Sequence, residues 1–449
     1  MAKHVLYVHA QNETVGELSF ESSQDSYDFA YSDSWLKQDS AFPLSTHIPL
    51  FGEGIRPGAV QRFLQNLLPE GRALDVVSMT HQISKGNVFG LIALLGNEPA
   101  GALSFTRKHV ESAPSQVLQP SRRLINPTEL SRRIQERDHI PFPVWDGKVR
   151  LSVAGYQDKL QVLVEGEQMS LAEGSLASSH ILKPDSRSLV TPCMVANEHF
   201  CMTLAGQLGL DVARVELRRI PEPILLIERF DRHLEKHPSD NTTITRVMRH
   251  HVIDGCQALD LPVSFKYERN FGHGRDVRHI REGVSHEKLF ALENFSNPLA
   301  ARMSLLRWAL MQILLGNSDA HGKNISFYVR GSYIEPAPFY DLVSVNVYGD
   351  AVEQDMAMAY GDVFLLDELT PFDLADFTHR IGMPPKVVSR EMTRLAKQAK
   401  TLAPNLAKSS IYDEKELRLV QAITALVLKQ ADKLMEFAPQ LPKVDPTLL

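Results

Sequence analysis

Asn317-Ser-Asp-Ala-His-Gly-Lys-Asn324, followed at 339–341 by Phe-Tyr-Asp, sets an aspartate (Asp319), an asparagine five positions on (Asn324) and a second aspartate (Asp341) between apolar segments. Phosphoryl transfer requires that layout. One carboxylate accepts the proton of an attacking hydroxyl, while an amide oxygen and a second carboxylate hold the magnesium that bridges the phosphates of ATP. The plain reading of Asn317, Ser318, Asp319 and Asn324 is a run of turns and caps, which such residues form routinely. That suffices for any one of them. For the set together with Asp341, chemistry is the better reading.

Working outward, Leu299, Met303, Leu306, Leu310 and Ile313 recur at spacings of three and four, which predicts a helix with one buried face ending at Gly316. Asp319 then lies on a loop at the end of a rigid element, a suitable place for a base. The span Met303 to Leu315 is too short for a membrane helix and carries Arg307. Met1-Ala-Lys-His leads straight into apolar alternation, so no signal peptide and a cytoplasmic chain are expected.

A length of 449 residues predicts two or three packed units, and 43% hydrophobic with 23% charged residues fits a globular chain with a substantial core. The net charge of −6 argues against a protein that grips nucleic acid alone by neutralising phosphates. The three cysteines, Cys193, Cys201 and Cys256, lack metal spacing and read as buried thiols in a reducing compartment.

Residues 1–108 read as a small α/β unit, with strands at Val5–Val8 and Gly16–Phe20, a helix at 59–68 and an apolar run at 88–95. Pro-, Ser- and Gln-rich stretches mark 109–148 as a connecting region. Residues 149–235 turn to short strands, including 160–164, 180–183 and 224–227, interrupted by a helix at 195–208. Residues 236–449 read as mainly helical after a polar, loop-heavy stretch from 232 to about 283. The expected fold class is α+β, a bilobal protein-kinase-like plan with a strand-rich nucleotide lobe before a helical catalytic lobe.

Other segments supply the far side of a nucleotide cleft. The D-x-x-x-x-N spacing of Asp319 and Asn324 equals that of the protein-kinase catalytic loop, with Asp341 in the part of the D of D-F-G. Lys183 ends an apolar strand, where it could meet phosphates or simply be solvated, and Glu198 on the next helix is its candidate partner. Ser152-Val-Ala-Gly-Tyr-Gln-Asp-Lys159 stands where a phosphate-covering loop belongs, yet its single glycine is also that of a hairpin turn. Glu228-Arg-Phe230 follows a strand and offers a backbone hinge for adenine, or a charged loop with one core phenylalanine. His321 either orients the loop or neutralises developing charge, and Lys323 reaches a phosphate or packs.

These segments, in this order, resemble the HipA family of bacterial serine/threonine kinases, the toxins of HipBA-type toxin–antitoxin modules. The resemblance rests on 152–159, His-Ile-Leu-Lys at 180–183, Glu-Arg-Phe-Asp-Arg at 228–232 and Cys-Gln-Ala-Leu at 256–259. It continues through Lys-Tyr-Glu at 266–268, 316–324 and Pro-Phe-Tyr-Asp at 338–341, with Asn-Leu-Leu-Pro-Glu-Gly at 66–71 and Gly-Ala-Leu at 101–103 in the first module.

It implies an ATP- and Mg2+-dependent protein kinase acting on an aminoacyl-tRNA synthetase, with Asp319 as base and Asn324 and Asp341 as metal ligands. Nucleotide contacts would come from Ala154, Gly155, Tyr156, Gln157, Asp158, Lys159, Lys183, Glu228, Arg229, Phe230, His321, Gly322, Lys323, Asn324, Tyr340 and Asp341. Ser152 matches the family's autophosphorylation serine, and Tyr156 departs from the alanine of its best-known members. The implied partner is a HipB-like helix-turn-helix antitoxin dimer, through which operator DNA is mainly reached. A lipid or small-molecule kinase using the same D-x-H-x-x-N machinery, and a degenerate kinase serving as corepressor, are the alternatives.

Overall fold

The computed structural model describes residues 3–52, 54–107, 119–150, 157–240 and 242–449. They form two compact units, and the chain passes between them more than once. The first comprises Met1–Pro184, Arg218–Ile253 and Phe327–Ile334, and the second Asp185–Leu217, Asp254–Ser326 and Glu335–Leu449.

The first unit opens with a four-stranded antiparallel sheet in the order Ser26–Tyr31, Glu13–Glu21, Lys3–Ala10, Leu103–Thr106. Alternation buries Leu6 and Val8 on one face, with Leu18 of the neighbouring strand opposite Leu6. The apolar run Val88–Leu95 could suit a strand as well as a helix. Asn87 makes it a helix by accepting the Gly90 N–H as an N-cap.

A six-stranded sheet follows, in the order Val215–Arg219, Pro223–Glu228, His180–Pro184, Leu160–Glu165, Gln168–Glu173, Ser121–Ile125. Its edge strand corrects the expectation that 109–148 merely connects modules. Of that stretch, 109–118 lie outside the described residues. In the remainder, Ser121–Ile125 pairs with Gln168–Glu173, and the helix Pro127–Gln135, capped by Asn126, packs Leu130 and Ile134 into the core with Phe142, Trp145, Leu160 and Leu182. The polar stretch from 232 is also more ordered than expected. Arg232–Lys236 and Ile244–Arg249 form a hairpin whose Ile244 and Val247 join a small cluster with Leu163 and Leu176.

The second unit is mainly helical. Pro298–Leu315 starts on an Asn297 cap with proline at its first position and stops at Gly316 (φ 61°). Its buried face widens toward the end: every residue from Trp308 to Leu315 is buried, because the helices Pro385–Leu406 and Glu414–Phe437 both pack against it. Among the described residues no helix is long and apolar enough to cross a membrane.

Two buried histidines give the fold a pH dependence. His286, enclosed by Trp308, Tyr360 and Phe377 in the second unit, is pushed down to about 3 by burial. His251, in the first unit, is pushed down to about 4 by burial against a hydrogen bond to the Leu44 carbonyl. The unfolded chain takes up protons at these sites from about pH 6.5 downward and the folded chain does not, so stability rises with pH across that window. The thermal midpoint should fall between about pH 7 and 5, with a shallower slope in His286→Phe; an unchanged slope would exclude His286 as a contributor.

Candidate active site

The helix end and the loop after it are held by the chain's own polar groups. Asn317 donates its amide to Gln312 Oε1 (2.9 Å), and its own Oδ1 accepts from the Asp319 N–H (3.3 Å). The Asp319 carbonyl accepts from the His321 N–H (2.8 Å) and from Asn324 Nδ2 (2.8 Å). These are the turn bonds that the plain reading anticipates. They bury Asn324 and leave Asp319 exposed. Turn chemistry and site chemistry are thus the same residues in two roles.

Because a carbonyl can pair only with a donor, the bond from Asn324 to the Asp319 carbonyl fixes Nδ2, and Oδ1 is the amide's oxygen acceptor. The Asp319 carboxylate accepts from Tyr267 Oη at 2.5 Å. His321 meets the Tyr267 ring edge-on and accepts the Lys323 N–H on Nδ1. Burial, then the Lys266 ammonium, hold His321 well below the ordinary imidazole range, and the opposing pull of the Asp341 carboxylate does not restore it. A neutral ring orients the loop.

Lys323 is buried, and its ammonium pairs with the Asp254 carboxylate at 2.8 Å. Asp254 also caps the short helix Gly255–Ala258 through a capping box with Gln257. Tyr340 donates to the Lys323 carbonyl (2.7 Å) and sits 2.8 Å from Ser326 Oγ; burial raises its phenol above the ordinary range. Asp341 follows in the left-handed region (φ 57°), which costs a non-glycine residue about 1–2 kcal/mol and is best tolerated by aspartate and asparagine.

Asp319, His321, Gly322, Lys323, Asn324, Tyr340 and Asp341 therefore belong to one unit. The first unit carries Gln157, Asp158, Lys159, Lys183 and Glu228–Phe230. Lys183 is buried opposite Leu225 in the six-stranded sheet, and Asp158 pairs with Arg137 at 3.5 Å. The polar groups of Arg229 are engaged within the fold. Its N–H donates to the Ser179 carbonyl, its carbonyl accepts from Arg232, and its guanidinium meets Asp231, Glu98 and Ser178. Phe230 stands edge-on to Tyr328, whose hydroxyl donates to the Phe230 carbonyl. Glu198 is buried on the helix Met194–Gln207 of the second unit. Ser152, Ala154, Gly155 and Tyr156 lie outside the described residues.

Family models match most of the chain: the HipA N-terminal domain over 6–106 and the HipA-like C-terminal domain over 151–403. The chain is 40% identical over 443 residues, 98% of each chain, to serine/threonine-protein kinase toxin HipA of Shewanella oneidensis. The chain belongs to the HipA family. A second relative, Y4mE of Sinorhizobium fredii, is 32% identical, covering 88% of this chain and 90% of its own. The solved complex of Shewanella oneidensis HipA with HipB and operator DNA matches with a TM-score of 0.86 at 39% identity, over 98% of this chain and 100% of that one. The α+β class expected of a HipA-like chain therefore holds.

Two contributors to this HipA-family site were not assigned from sequence. Tyr267 and Asp254 both stand in segments quoted for the resemblance or beside them, yet neither residue type in isolation signals a role. Both reach the loop only through folding; at Gly322, which donates to the Lys266 carbonyl, a Cβ would lie 2.4 Å from the Val284 side chain, so glycine suits that close packing.

Proposed function

We propose that this chain is an ATP- and Mg2+-dependent serine/threonine protein kinase and the toxin of a bacterial type II toxin–antitoxin module. The observation that carries the reading is the exposed Asp319 carboxylate on a loop locked by Asn324, with the amide oxygen of Asn324 and the carboxylate of Asp341 in the same unit.

Asp319 takes the proton of the acceptor hydroxyl. Asn324 and Asp341 offer oxygen ligands only, which suits a hard cation such as Mg2+. Mg-ATP, when bound, supplies the electrophilic phosphorus and the neutralisation of charge on its phosphates. Tyr340 and Lys323 fix the backbone between the two metal ligands. By resemblance, Lys183 contacts the phosphates, residues 154–159 cover them, and the hinge falls to the backbone of Glu228 to Phe230.

The protein substrate is of the aminoacyl-tRNA synthetase class, and Ser152 is an autophosphorylation site that switches the enzyme off by placing a doubly charged group beside the nucleotide site. A HipB-like helix-turn-helix dimer neutralises the toxin and provides most of the contact with operator DNA. The name of the Shewanella toxin and its complex with HipB support this role.

Expression in bacteria tests it: growth should stop with the native chain, continue with Asp341→Ala at equal protein level, and resume when a HipB-like protein is co-expressed. Arrest by Asp341→Ala as complete as by the native chain would separate toxicity from phosphoryl transfer.

A further inference from the structure

We infer that Tyr267 is a positioning residue that sets the direction of the proton acceptor Asp319; the inference rests on the kinase reading above. Asp319 is exposed, and a base must keep its oxygen within hydrogen-bond reach of the acceptor hydroxyl. The phenol of Tyr267 restricts the rotamers that its carboxylate can take. Its O–H donates to Asp319 Oδ1 at 2.5 Å, at the short end of the range for a hydroxyl on a carboxylate. Holding Oδ1 sets the direction of the carboxylate.

Tyr267 is itself held from several sides. Its ring meets His321 edge-on, with centroids 5.0 Å apart and planes at 87°. The preceding carbonyl, of Lys266, accepts the Gly322 N–H at 2.8 Å, which ties the tyrosine's backbone to the loop that carries the base. The next residue, Glu268, is buried, ion-paired with Arg281, and accepts the Ala359 N–H at 2.7 Å. The phenol therefore reaches Asp319 from a fixed support, and the same support touches the loop at Gly322 and His321. A displacement of the base by even about 1 Å is enough to slow a reaction by orders of magnitude.

Tyr267→Phe keeps the ring and its packing on His321 and deletes one oxygen. With labelled Mg-ATP and the proteins of a bacterial lysate as acceptors, the maximal transfer rate should fall about ten- to a hundredfold. The half-saturating ATP concentration and the thermal midpoint should stay where they are. In an Asp319→Asn background the same change should alter the residual single-turnover rate by less than about twofold, because positioning acts only through a base that is present.

An undiminished rate in Tyr267→Phe, with Asp319→Asn inactive, overturns the inference and leaves the kinase reading intact. A rate that rises overturns it too, since it would mark the phenol as occupying the acceptor's place. An equal fall in both backgrounds assigns Tyr267 to structure alone and also overturns it. Full activity in Asp319→Asn removes Asp319 from the chemistry, and with it the assignment of the base on which this inference rests.

Discussion

Asp319→Asn is expected to lower phosphoryl transfer by at least about 100-fold while leaving nucleotide affinity and folding close to native. Asparagine has the shape of aspartate, and its side-chain oxygen can still accept from Tyr267. The backbone bonds that Asp319 makes to His321 and Asn324 use its carbonyl and are untouched. What disappears is the capacity to take a proton, and general-base catalysis of this kind contributes about 10²–10⁴-fold. Single-turnover transfer from labelled Mg-ATP, beside a nucleotide-binding titration and a melting curve, separates the effects. A rate within about threefold of native would remove Asp319 from the chemistry.

The second large effect is on stability. Asp231→Asn should destabilise the first unit by about 3–5 kcal/mol, the usual consequence of removing one partner from a buried ionic group. The Asp231 carboxylate accepts from Arg229 (2.9 Å), from Arg232 (2.8 Å) and from the Gly101 N–H (2.8 Å), and it is held far below the ordinary carboxylate range by those guanidiniums despite its burial. Among the described residues, its acidic companion in the cluster is Glu98, which also meets Arg229 and Arg232. Burial pulls Arg232 down to about 10 and Arg249 down to about 9, so these cations are poorly solvated and depend on their carboxylates. Loss of one carboxylate leaves an excess of buried positive charge. The thermal midpoint should drop by on the order of 10 °C, and added salt should not restore it, because screening is weak for buried groups. A drop of less than about 1 °C would mean that water enters the cluster.

Local information made the centre of the site legible. Asp319 and Asn324 are close in sequence, and their spacing survives folding because one short turn holds both. The helix before them was readable from its apolar period and its Gly316 stop, and Asp341 from its place after Pro338-Phe-Tyr. Long-range pairing was not readable. Ser121–Ile125 becomes a sheet strand only because Gln168–Glu173 lies beside it, and two of its five residues are arginines. The 232–249 hairpin hides for the same reason: Ile244 and Val247 pack with Leu163 and Leu176, which stand far away in the chain. The buried ionic group around Arg229 was not readable either, because Glu98 and Ser178, which engage its guanidinium, stand far away in the chain. Tyr267, likewise, acquires its role only when folding carries it to Asp319.

The central claim is that Asp319 serves a protein kinase, and one measurement addresses it most directly. The native chain and Asp319→Asn are incubated in parallel with labelled Mg-ATP and a bacterial lysate, and the label is followed into protein, lipid and small molecules. The account predicts phosphoserine or phosphothreonine in discrete proteins with the native chain and none above background with Asp319→Asn. Label confined to lipids or metabolites, or equal protein labelling by both chains, would contradict it.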